Sequence, residues 1–156
     1  MTELQALATI GGAIALIGGL VGSAIGIAMA ASAGLATLSE DSGQLRNVIV
    51  LASMPMTQSF YGLIILIIIL TVVLAKIDVA GLGGGMGVLA IGIMAGFAEF
   101  FSAIYQGAVC SSGIALLPKT KGRILTASMM LAVFVELIGV LGLVFTIMAL
   151  SILKLM

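Results

Sequence analysis

A chain of 156 residues that is 62% hydrophobic and 8% charged, with a mean hydropathy of +1.40, cannot hide its apolar surface in a water-soluble fold. Six Lys plus Arg balance six Asp plus Glu and there is no His, which speaks against a nucleic-acid partner and against a His-based catalytic or metal site. At about 20 apolar residues per bilayer crossing, the length suits four spanning helices with little left over for a separate soluble domain.

The first span is predicted at residues 5–38. It opens Met1-Thr2-Glu3 without a basic n-region and runs longer than a signal peptide's apolar core, so it is expected to be a retained helix. Small residues recur at every fourth position, Gly18, Gly22, Gly26, Ala30 and Gly34. In lipid, that spacing lets helix backbones approach closely. Polar residues 40–47 form the first loop, and a second span is predicted at 48–76. It is bulky on every side over residues 63–70, which suits contact with lipid. Lys76-Ile77-Asp78 and the glycines after them divide it from a third span at 83–117, where Ala95, Ala103, Gly107 and Ser111 repeat the small stripe. The lone Cys110 in this span reads as a buried, inert thiol. Residues 118–123 form the third loop, and a fourth span is expected at 124–154, bulky from Leu141 onward.

Short connections rich in turn residues make the neighbouring spans antiparallel. The expectation is an all-α, multi-pass integral membrane protein of one domain, with four transmembrane helices in two tandem hairpins, 5–76 and 83–154. Crowded first and third spans with greasy second and fourth spans suit a ring of hairpins, whose closeness the glycine stripe would supply; a compact four-helix bundle explains the stripes equally. Residues 23–38 set against 102–117 match at seven of sixteen positions, including Ser23/Ser102, Ser32/Ser111 and Gly34/Gly113, which points to a duplication. Arg46, Lys119, Lys121 and Arg123 lie in loops one and three, against Lys76 and Lys154 at the other end, so loops one and three are expected in the cytoplasm.

Glu136 stands mid-span with no basic residue within a turn or two. Burying a charge there costs at least several kcal/mol, so an intramembrane carboxylate marks an ion or proton path by default. Thr57 and Gln58 lie about 14 residues from the middle of loop one, Gln106 about 14 and Glu136 about 16 from the middle of loop three, depths that agree to roughly 3 Å. Pro55 cannot donate to the carbonyl of Leu51, which loosens the preceding turn and frees backbone oxygens near residues 51–54. Hard oxygen donors around one negative charge suit a monovalent hard cation, and Na+ fits. Tyr61, one turn after Gln58, is placed to hydrogen-bond Glu136 as a latch.

Through the run Pro55-Met56-Thr57-Gln58-Ser59-Phe60-Tyr61, taken with Gln106 and Glu136, the whole chain resembles the rotary ATPase proteolipid family in its duplicated V-type form. The resemblance implies that the backbone carbonyl of Met54 joins Thr57, Gln58, Gln106 and Glu136 around Na+, with Tyr61 locking the glutamate. It also implies a homo-oligomeric ring of about ten copies, itself non-catalytic, embedded in lipid and joined to central stalk subunits. ATP hydrolysis would turn that ring against a static membrane subunit, whose arginine displaces the ion.

Glu99 departs from the pattern as a second intramembrane acid, seven residues before Gln106 and so roughly 10 Å along the same face. It reads either as a neutral, hydrogen-bonded acid between packed helices or toward the ring interior, or as a second ion or proton site. Three other functions compete: a ring of the same class carrying H+, a small four-helix secondary transporter or multidrug exporter, and a gap-junction-like structural assembly. Few aromatic residues, with no Trp and only two Tyr, disfavour a site for organic cations.

Overall fold

The computed structural model describes residues 1–156. Helix α1 runs Glu3–Glu40, and after a short 3-10 turn the second span follows as α2 (Leu45–Ser53), a 3-10 turn at Met54–Met56, α3 (Thr57–Ile68) and a π-turn at Ile69–Val73. The third span is α4 (Ile77–Ala115) and the fourth is α6 (Leu125–Ile152), joined by the single turn α5 (Leu117–Thr120). All four spans are long and apolar enough to cross a membrane.

Two boundaries differ from the sequence expectation. The glycines after Lys76 do not form a loop: α4 starts at Ile77, and the irregularity is confined to Gly81, whose φ of 65° and ψ of −166° kink the helix after its first turn. Glycine alone adopts that backbone cheaply. In the third loop, Pro118 opens the turn α5, which fixed φ favours, and Lys121 and Gly122 then reverse the chain with φ of 52° and 79°.

The start of α1 is tied to the start of α4. Thr2 and Gln5 form a reciprocal cap, the Thr2 hydroxyl donates to Asp78 Oδ1 at 2.8 Å, and Gln5 Nε2 donates to Asp78 Oδ2 at 3.2 Å. At the opposite end Gly122 lies against Asn47 and Gln44, bringing loops one and three together.

The most extensive packing is between α1 and α4, followed by α4 on α6 and α1 on α3. The small-residue stripe explains why: Gly18 abuts the backbone of Gly96, Gly22 that of Phe100, and Gly26 that of Ala103 and Gly107. A Cβ at any of these positions would overlap main chain. Of the two readings of the stripe, the seam of a ring and packing within a compact bundle, this part of it serves packing inside the chain, closing α1 on α4. Gly19 abuts the backbone of Gln58 and faces α3 instead. The outward faces of the second and fourth spans keep Ile64, Ile67, Phe145 and Met148 exposed, in keeping with a lipid-facing surface.

Two apolar clusters fill the interior. One, around Ile65, Ile69, Val73, Val88 and Leu150, lies toward the termini; the other, around Leu51, Cys110, Ile114 and Ala132, lies toward loops one and three. Between them Gln58, Glu99, Ser102 and Gln106 are buried in one polar layer.

Candidate functional site

Pro55 starts the site by its missing N–H. With no donor at residue 55, the chain tightens locally: Met54 N donates to the Leu51 carbonyl and Thr57 N to the Met54 carbonyl, the three-residue pattern of a 3-10 turn. The expected loosening at Leu51 is thus a tightening, which leaves the Met54 carbonyl 3.2 Å from Thr57 Oγ1. Thr57 Oγ1 is also 3.2 Å from Gln58 Oε1, so three oxygens from consecutive turns of the second span gather at one point.

From there the network crosses to α4 and α6. Gln58, fully buried, donates through Nε2 to Gln106 Oε1 at 2.9 Å and to Ser102 Oγ at 3.0 Å. Gln106 Nε2 donates to Glu136 Oε2 at 3.2 Å, and the Tyr61 hydroxyl donates to Glu136 Oε1 at 3.1 Å. Both carboxyl oxygens of Glu136 therefore have a donor, each from a different span. Every residue that the depth count aligned, Thr57, Gln58, Gln106 and Glu136, belongs to this one chain of hydrogen bonds, with Met54 and Tyr61 at its ends.

Ser102 is the member that sequence reasoning did not single out. Its hydroxyl accepts from Gln58 and donates to the Val135 carbonyl at 3.0 Å, clamping α4 to α6 beside the carboxylate. Its position one turn before Gln106 on the same face was the available signal. Cys110 is buried, with its sulfur 3.9 Å from that of Met54.

Glu99 borders the network, sharing the space at Gly139 with Ser102 and Gln58, but makes no hydrogen bond to it. It is fully buried between α4 and α6, and neither carboxyl oxygen has a hydrogen-bond partner. The expected position between packed helices holds; the expected hydrogen bond does not, and the side chain faces α6 of its own chain. The reason is what stands opposite: Gly139 and Gly142 offer only backbone, and a Cβ on Gly139 would lie 2.7 Å from Glu99 Oε2. The two glycines make the notch that admits the acid.

The family model for the C subunit of ATP synthase matches the chain twice, over residues 10–69 and 89–149. The chain is 36% identical over 149 residues to A-type ATP synthase subunit K of Methanocaldococcus jannaschii, covering 91% of this chain and 63% of that protein, so it spans less than two thirds of that relative's length. It is 30% identical over 124 residues to V-type sodium ATPase subunit K of Enterococcus hirae, covering 80% of this chain and 77% of that one.

Proposed function

The chain belongs to the C-subunit family of ATP synthase, and on that premise we propose that it is the ion-carrying rotor-ring subunit of a rotary ATPase, with Na+ as the carried ion and Glu136 as its carrier. The observation that carries this reading is the closure of Tyr61, Gln106, Gln58 and Thr57 around one mid-span carboxylate. A carboxylate paired with a monovalent cation is neutral as a unit, which removes most of the cost of moving it through a lipid-facing position.

The residues divide the work. Glu136 supplies the charge, and the oxygens of Met54, Thr57 and Gln58 supply uncharged ligands already gathered on the second span. Gln106 presents its amide nitrogen to Glu136 and its oxygen to Gln58, so loading Na+ requires its amide to turn and its hydrogen bond with Gln58 to break. Tyr61 holds the far carboxyl oxygen and acts as the latch. Ser102 keeps the two helices in register during the exchange. The competing cargo is H+, for which a shielded carboxyl suffices; the Gln106 nitrogen that faces Glu136 is not itself a ligand for Na+. Glu99, without a hydrogen-bond partner, we read as a neutral acid that carries no ion.

In this reading a ring of copies meets a static membrane subunit and central stalk subunits, with loops one and three on the cytoplasmic side. The similarity to a sodium ATPase subunit of Enterococcus hirae supports Na+ over H+. The test is the detergent-purified assembly. A closed homo-oligomeric ring that copurifies with soluble ATPase subunits is the expected result; a monomer or dimer that transports alone in liposomes makes the chain a secondary transporter.

A further inference from the structure

Lys76 and Lys154 stand at the ends of the second and fourth spans, far from the ion site, and the function proposed above makes no use of them. They line the same cavity, of about 400 Å³, whose remaining walls are Ala75, Val79, Ala80, Leu153 and Leu155. The nearest acid in sequence, Asp78, is engaged by Thr2 and Gln5. Two lysines therefore line one concave, otherwise apolar site without a carboxylate side chain among its walls.

The depth of the site identifies its surroundings. Helix α6 runs Leu125–Ile152, 28 residues, and at about 1.5 Å per residue it is roughly 42 Å long, the thickness of a bilayer with its headgroups. With α6 spanning the bilayer, that length puts Lys154, two residues past its end, at the level of the lipid phosphates. Around it Val79, Leu82 and Ile152 are 94%, 67% and 77% exposed, apolar surface that lipid covers better than water does. Positive charge above apolar walls at this level matches an anionic headgroup with its acyl chains below. A soluble anion would gain nothing from the walls.

We propose that Lys76 and Lys154 form a binding site for the phosphate of an anionic phospholipid, whose chains lie along the exposed faces of the second and fourth spans. The site draws one ligand group from the end of each hairpin, so an occupying lipid braces the two hairpins at the end opposite loops one and three.

The test uses the full assembly reconstituted in phosphatidylcholine nanodiscs containing a trace of spin-labelled phosphatidylglycerol, reading the fraction of label that the protein immobilises. The double variant K76Q/K154Q is expected to weaken the preference for phosphatidylglycerol over labelled phosphatidylcholine by about 30-fold, or roughly 2 kcal/mol for two lysines near the surface. The charge-matched variant K119Q/K121Q is expected to keep it. Equal loss in both variants means bulk charge attraction and overturns the site, as does an unchanged preference in K76Q/K154Q. Displacement of the label by inorganic phosphate would make it a soluble-anion site and likewise overturns the lipid assignment.

Discussion

The Tyr61 hydroxyl reaches across from the second span to donate to Glu136 Oε1 at 3.1 Å, so this carboxyl group is closed on the side away from Gln106 by a single hydrogen bond. A net contribution of about 1.5 kcal/mol is typical of a hydrogen bond to a charged group. Tyr61→Phe is therefore expected to speed modification of Glu136 by a hydrophobic carbodiimide about 10-fold, with the ring intact. No change in the labelling rate would show that Tyr61 is not the latch.

On the proposed function, sodium and the carbodiimide compete for the same carboxyl. Because the reagent attacks the protonated acid, labelling of Glu136 should quicken as pH falls and slow when sodium is added. Gln106→Ala and Gln58→Ala each remove a ligand while leaving the acid, and each is expected to raise the sodium concentration needed for protection by about 10- to 100-fold. Ser102→Ala should do so by less, since it loosens Gln58 and the α4–α6 clamp without removing a ligand. If millimolar sodium leaves the native labelling rate untouched while transport follows pH alone, the cargo is H+.

Glu99→Gln is expected to retain most ion transport, and Glu136→Gln to lose it. The amide keeps the shape of the buried acid in the notch made by Gly139 and Gly142. Transport assays on both variants in liposomes containing the whole complex decide the matter: equal loss places Glu99 in the mechanism.

Gly18→Leu sets a side chain against the main chain of Gly96. Overpacking of this kind costs typically 1–3 kcal/mol, and more when the obstacle is backbone. The expected outcome is a lower melting temperature of the individual chain in detergent, alongside any loss of the oligomer. A variant chain that melts normally but no longer assembles would move the stripe's role from the chain to the ring.

The amino-acid sequence by itself determined the membrane class, the four spans and the depth of Thr57, Gln58, Gln106 and Glu136, because hydropathy and a rise of about 1.5 Å per residue convert position along the chain directly into depth. Depth is one coordinate of three. Which faces meet depends on how the helices are arranged about one another, and a glycine stripe announces a close approach without naming the partner. Only the tertiary structure decided that Gly18, Gly22 and Gly26 close on α4 of the same chain, that Ser102 joins the site, and that Glu99 faces bare glycine backbone on α6. The helix start at Ile77 was not legible in the sequence for a related reason: a run of glycines signals a break, yet a single residue with positive φ, Gly81, is enough to make it, and the glycines after it in sequence stay helical.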